Sequence, residues 1–350
     1  MDQARFVDRD AHGVLDVRHG QDALEAISGD GFWVVVATFE GEVTAVRFEH
    51  VTKRPYAVTS GHVVDPGPAA GWHPLDRRWH SSLDRTAYVG AVQEVQRRIA
   101  AGTVYQVNVC RVLSHELSAD ADLDALDLLV RVGNPSPHGA RIRCEAAGLD
   151  VVSASPELYL SRHGRRLVTR PIKGTATTAD AMLPKDHAEN VMIVDLMRND
   201  LSGVCDPGTV SVDALCELEE HPGLVHLVST VSGQLREDAS WPDVFAAAYP
   251  PGSVSGAPKS SALAAIRDLE TAPRGPYCGA VGWVDAGADE AVLAVGIRTF
   301  WAECDDGGRR WLRFGTGAGI TWHSDPAGEW AETELKAARL IGLAAGAVTP

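Results

Sequence analysis

Three features of this chain have the residue types and spacing to do chemistry: an enclosed lysine, two pairs of helical carboxylates and an arginine on a face of small residues. Lys173 sits in RPIKGT, Arg170 to Thr175, with a proline two residues before it and a Gly-Thr pair after it. That setting is too rigid for an ordinary solvated lysine, and a desolvated amine loses its proton readily enough to serve as a nucleophile. In DHAENVMIVDLMRND, Asp186 and Glu189 lie one helical turn apart, and Glu189 shares a face with Met192, Ile193 and Leu196. A glutamate buried on such a stripe is costly unless it is paired or metal-bound. In EWAETELKAARL, Glu329 and Glu332 have the same spacing, with Lys336 one turn beyond Glu332. Two helices that each offer carboxylates from one face suit a hard cation with oxygen ligands, Mg²⁺. Read singly, each pair equally fits a solvated acidic face with an i,i+4 Glu-Lys pair.

Arg298 belongs to AVLAVGIRTF, which reads as one strand with Ala294, Gly296 and Arg298 on one side. The small neighbours leave room for a carboxylate on the guanidinium fork; a structural salt bridge is the competing reading. GTGAGI, Gly315 to Ile320, offers backbone N–H groups to an anion, and PPGSVSGAPK, Pro250 to Lys259, precedes a helix N-terminus. His226, in HLVST, is a candidate general acid, although most histidines have no such role. Folding LYLS and RLVTRPI about the His163-Gly164 turn brings Glu157 opposite roughly Arg170, so Glu157 and Lys173 share the open end of one hairpin.

Helices and antiparallel strands must carry these groups. FWVVVATFEGEVTAVRF reads as two strands about a short turn. Tyr88, Val92, Val95 and Ile99 give one apolar stripe in a helix within Ser82 to Gly102, followed by the strand VYQVNV. Further helices are expected from about Asp186 to Leu201, from Pro258, and from Glu329 onward, with strands in YCGAVGWVD, AVLAVGIRTF and RWLRFGTGAGI. Without a regular βαβ alternation the class is α+β, antiparallel sheets with helices outside. The Pro/Gly-rich stretch from Val64 to Pro74 marks a junction between a short β-rich segment, 1–80, packed on the core, and a catalytic domain over 81–350.

Composition narrows the partners. Hydrophobic residues at 45% and charged residues at 23% are ordinary for a globular protein. A net charge of −15 disfavours nucleic acid and anionic membranes. An anionic ligand would therefore need a local cluster of cations, amides or a metal. The six cysteines show no ligand spacing, and no stretch is apolar enough for a signal peptide or membrane span, so a cytoplasmic protein is expected.

The ordered set YQVN, SPE, PIKGT, AENVMIVDLMRNDL, HLVST, GSVSGAPK, YCGAVGW, IRTF, GAGI and ETxxK, spread over about Asp84 to Leu343, resembles the chorismate-utilising enzymes. The resemblance implies a core of two antiparallel sheets packed orthogonally, flanked by helices. It implies Mg²⁺ held by Glu189 and Glu332, with Asp186 and Glu329 nearby. Substrate contacts would come from Gln106, Thr175, Tyr277, Arg298, the Gly317, Ala318 and Gly319 backbone, and Lys336. Relatives that add water carry an activating lysine where this chain has Gln106, and ammonia needs no such base. PIKGT, against PIAGT in anthranilate synthases, is similar to aminodeoxychorismate synthases, which make 4-amino-4-deoxychorismate for 4-aminobenzoate and folate through a lysine adduct. Lys173 would be the nucleophile, with Glu157 and His226 in proton transfer. No glutaminase signature is present, so ammonia would come from a separate glutamine amidotransferase. Anthranilate or 2-amino-2-deoxyisochorismate formation, or chorismate binding without turnover in a regulatory protein, are the competing readings.

Overall fold

The computed structural model describes residues 2–54, 71–76, 78–176, 178–182, 184–221 and 224–346; most of the expected junction, up to residue 70, lies outside them. Eighteen strands among the described residues join in one hydrogen-bonded order, and every pairing is antiparallel. From the pair Ser211–His221 and Leu224–Gln234 the order runs through Arg166–Arg170, Leu158–His163, Glu290–Val295 and Ala280–Asp285. It passes into the N-terminal strands Phe32–Ala37, Val43–Lys53, Arg9–His19 and Gln3–Phe6. It ends on His138–Cys144, Leu149–Ser155, Thr299–Cys304, Arg310–Ile320 and Gln106–Glu116. The N-terminal strands thus occupy the middle of the order, and Phe32–Ala37, read as an apolar run, is buried at every residue.

Seven helices are present among the described residues: α1 (Gly20–Ala26), α2 (Arg85–Ala100), α3 (Leu123–Gly133), α4 (Pro184–Ser202), α5 (Trp241–Ala248), α6 (Lys259–Leu269) and α7 (Pro326–Ala344). None is long and apolar enough to cross a membrane. Helix α2 begins where the Asp84 carboxylate accepts the Ala87 N–H, and it buries Tyr88, Ala91, Val92 and Val95, close to the expected stripe. Asp325 caps α7 through the Gly328 N–H, so the helix begins at Pro326, three residues ahead of the expected Glu329. Proline at 258 stands at the N-cap of α6 rather than inside its first turn.

One apolar core collects residues from the N-terminal strands, α2, α4, α5 and α6. A second, with Leu126, Leu129, Phe300, Phe314, Leu340 and Leu343, packs α3 and α7 on the strands at the far end of the order. α7 is therefore fixed to the strand Arg310–Ile320, and α4 to Leu224–Gln234. The space between these two attachments is where the chemistry-bearing residues gather.

Candidate active site

Lys173 lies on the short strand Ile172–Ala176, whose register against Leu224–Gln234 slips: Ile172 faces Val228 while Thr175 faces His226. The extra residue makes a β-bulge, a device that re-aims a side chain. Gly174, at φ +92°, supplies the left-handed turn, and a Cβ there would stand 2.9 Å from the Cβ of Asp186, so α4 presses on the bulge. His226 is buried at 5% exposure on the neighbouring strand. The Thr175 side chain lies outside the described residues.

Glu157 does not face Arg170. A second bulge, between Val168 and Arg170, moves the register so that Leu158 takes that place. The Glu157 carboxylate instead lies within the influence of the Ser253 hydroxyl, the Ile172 N–H and the Lys173 charge. It is 4% exposed. Burial pushes its carboxyl up to about 6, against the lowering influence of the Ser253 hydroxyl, the Lys173 charge, the Ile172 N–H and the Lys336 charge. Burial likewise depresses the Lys173 amine; Glu157 resists this, Lys336 adds to it, and Glu189 and Glu332 resist it. Part of Lys173 still touches solvent, as expected of a side chain whose amine lines a narrow cleft.

Glu189 on α4 and Glu332 on α7 therefore bear on one amine from two helices. Glu332 also pairs with Lys336 at 2.6 Å, and the Lys336 ammonium donates to the Gly317 carbonyl at 3.1 Å. Glu329 and Glu332 both bear on the buried Tyr88 hydroxyl of α2. Among the described residues, no three His, Cys, Asp or Glu side chains gather closely enough to hold an ion by themselves. Two converging carboxylates, with substrate oxygens and water completing the shell, are a donor set that fits Mg²⁺.

The glycine-rich run is the end of the strand Arg310–Ile320, paired with Gln106–Glu116 so that Gly317 faces Cys110 and Gly319 faces Asn108. Partner strand Thr299–Cys304 stops at Phe314, which leaves the other edge unpaired by any described strand from Gly315 onward. An antiparallel residue points its N–H and C=O to the same side. Because the Gly317 carbonyl meets Lys336, and Cys110 gives its N–H to Glu270, the amides of Gly317 and Gly319 point to the open edge. By the same alternation Ala318 turns its amide to Val109, so of the three expected amide donors two face the edge. A Cβ on Gly315 would land on the Tyr277 ring, and one on Gly317 would stand 2.5 Å from the Cys110 sulfur. Tyr277 is thus packed flush on bare backbone, 5% exposed.

Arg298 departs from the expected continuous strand. The chain leaves the ladder at Val295 and rejoins it at Thr299, because Gly296 passes too close to the Pro276 carbonyl for any side chain. Arg298 takes a left-handed φ of 51°, uncommon for a residue with a Cβ and concentrated at functional sites. Its guanidinium has no ion pair among the described residues, and burial alone holds it below its ordinary value. A buried guanidinium with no ion pair among the described residues fits the expected carboxylate contact.

Several supporting residues escaped sequence reasoning. Ser253 and Asn108 lie within the motifs GSVSGAPK and YQVN, but only folding brings them to the cleft. Arg274 donates to the Val254 and Asn108 carbonyls, both at 2.9 Å, and so ties the turn bearing Ser253 to the strand bearing Gln106. Lys259 pairs with Asp200 at 2.7 Å and braces the same turn against α4. Arg111 donates to the Thr333 hydroxyl at 3.0 Å and stacks on Trp330 at 4.1 Å, pinning α7.

Residues 38–342 match the family described as chorismate binding enzyme. The chain belongs to that family. Among its relatives, the aminodeoxychorismate synthase of Streptomyces griseus is 40% identical over 278 residues, 74% of this chain and 36% of that one. Anthranilate synthase component 1 of Streptomyces coelicolor is 37% identical over 292 residues, 78% of this chain and 55% of that one. The chain thus spans roughly a third to a half of these relatives' lengths. The crystal structure of anthranilate synthase component I from Streptococcus pneumoniae shares the fold, with a TM-score of 0.78 at 21% identity over 97% of this chain and 92% of that one.

Proposed function

We propose that this member of the family aminates chorismate to 4-amino-4-deoxychorismate through a transient bond to Lys173. The observation that carries this reading is the Lys173 amine, depressed by burial on a bulge beside the protonatable Glu157. The neutral amine attacks ring carbon C2, the allylic electron pairs shift, and the C4–O bond breaks. Glu157 gives its proton to the departing hydroxyl, which leaves as water. Ammonia then attacks C4, the pairs shift back, and the C2–N bond breaks to free Lys173. The product leaves with an ammonium group, and Glu157 regains its proton from solvent. His226 stands as the second proton-transfer group.

Arg298, Lys336 and the open-edge amides of Gly317 and Gly319 hold the substrate carboxylates, which supplies local attraction in a chain of net charge −15. Glu189 and Glu332 would hold Mg²⁺, and the bound ion would neutralise a ring carboxylate. Ammonia would be delivered by a glutamine amidotransferase partner. The core that frames this chemistry would be two orthogonally packed arms of the antiparallel order.

Relatives carry both synthase names, so the product decides between them. The purified chain is incubated with chorismate, Mg²⁺ and ammonium, and the product is identified by mass and by conversion to 4-aminobenzoate with a lyase. 4-Aminobenzoate is the expected result. Direct appearance of anthranilate would overturn the reading in favour of anthranilate synthesis, and absence of any consumption would favour binding without turnover.

A further inference from the structure

A cavity of about 670 Å³ opens between α1, α5, α6 and the turn that carries Phe39 and Glu40. None of the carboxylates, cations or amides assigned to the cleft lines it. Leu24, Phe39, Phe245, Tyr249, Leu263 and Ile266 make its walls, and the Phe245 and Tyr249 rings stack at 5.0 Å. A mainly apolar space of this size, set where the N-terminal segment meets the rest of the chain, has the build of a small-molecule site.

Hydrogen bonds hold these walls in place. Glu40 accepts the Arg274 backbone N–H at 2.7 Å and the Gly275 N–H at 3.2 Å, and Phe39 gives its own N–H to the Gly275 carbonyl at 2.8 Å. The Tyr249 hydroxyl donates to the Thr38 carbonyl at 2.6 Å. The Arg274 guanidinium lies 4.1 Å over the Phe39 ring and fixes it from behind. The turn and the loop facing it are therefore clamped together.

The charges along the wall are unequal. Glu40 spends both oxygens on the two amides. Glu270 accepts the Cys110 N–H at 2.8 Å and the Arg274 guanidinium at 2.6 Å, while Arg274 spends its other N–H groups on the Val254 and Asn108 carbonyls. Arg267, exposed on α6 at the rim, has neither ion pair nor hydrogen bond among the described residues. In a chain of net charge −15, an unmatched guanidinium beside an apolar cavity selects an anionic head group.

Three aromatic side chains in the wall favour a flat ring over an alkyl chain, because ring pairs gain stabilisation beyond the area that they bury. We propose that this cavity binds an aromatic monocarboxylate, with its ring among Phe39, Phe245 and Leu263 and its carboxylate on the Arg267 fork. A second acid group would face apolar wall or the Glu40 carboxylate, which sets this ligand apart from a dicarboxylate held in the cleft. The site stands whether or not the chain aminates chorismate.

4-Bromobenzoate is the probe, and 4-bromobenzamide keeps its shape without the charge. Calorimetric titration of the purified chain is expected to show saturable binding of the acid, about tenfold tighter than the amide, as a charge-assisted hydrogen bond contributes. Arg267→Gln should weaken the acid to the affinity of the amide and leave the amide as in the parent, while Arg267→Lys should keep part of the preference. Arg298→Gln, which removes the anion clamp of the cleft, should leave both titrations unaltered. Crystals of the unaltered protein soaked in 4-bromobenzoate should show the anomalous peak of bromine between Phe39, Phe245 and Leu263. Absence of saturable binding, equal affinity for acid and amide, a loss caused by Arg298→Gln but not by Arg267→Gln, or a bromine peak in the cleft alone would each overturn the site.

Discussion

Lys173 and Glu157 are each pushed toward the neutral form by the same burial, and the consequence for stability can be signed. A carboxyl whose folded pKa is raised to about 6 from 4.5 contributes stability below the lower value, and that contribution is lost as pH rises through the upper one. Near pH 7.5 the ionised Glu157 is therefore a burden of about 2 kcal/mol, from a shift of roughly 1.5 units. Glu157→Gln should melt higher than the parent at pH 7.5 and lose most of that gain at pH 5, while chorismate consumption falls by about 10² or more. Equal gains at both pH values would show that Glu157 is not buried as a charge. The site's residue types were legible in PIKGT, SPE and the helical carboxylates. Illegible were the two bulges beside Lys173 and Glu157: the first arises from pairing with Leu224–Gln234, distant in sequence, the second lies inside the hairpin about His163-Gly164, and each shifts a register that local alternation takes as regular.

Helix α7 carries Glu332 and Lys336 into the cleft, and Arg111 holds it. This guanidinium, 3% exposed, bonds Thr333 and Ser81, pairs with Glu334 and covers Trp330. Arg111→Ala should loosen the helix without touching substrate, raising KM for chorismate about tenfold and lowering stability by about 2–3 kcal/mol in denaturant titration. Weakened stability with unaltered KM would mean that α7 keeps its place without the clamp. Helices α2, α4, α6 and α7 were legible because stripe, cap or proline marked them. α1 was not: GQDALEA is seven residues with no side-chain cap. α5, WPDVFAAA, did carry a signal, the capping box of Ser240 before Trp241 and Asp243 in the first turn, but its eight residues are too few for periodicity to show. The break at Gly296 to Arg298 was hidden because it is imposed by the Pro276 carbonyl, a contact that alternation cannot reveal.

At the scale of the whole molecule, the N-terminal strands are structural members of the same ladder that carries the site. Phe32–Ala37 covers Ala280–Asp285 along its full length, register Phe32 to Asp285 through Ala37 to Ala280. A chain lacking residues 1–54 would bare that edge with Val281 and Trp283, and it should lose cooperative unfolding and self-associate in sedimentation; a monomeric, cooperatively folded product would contradict this. Composition foretold an ordinary globular chain, and the α+β class followed from the mixed order of elements, whereas the central position of the N-terminal strands had no local signature. The net charge of −15 leaves anion capture to the few cations in the cleft, and it is one of these, Lys173, that bears the central claim. Rapid quenching of the protein during turnover with chorismate, Mg²⁺ and ammonium, followed by intact-mass measurement and peptide mapping, tests it most directly. The expected result is a transient adduct of chorismate less one water on the peptide containing Lys173, absent from Lys173→Ala; sustained amination by Lys173→Ala, or turnover with no adduct on that peptide, would contradict it.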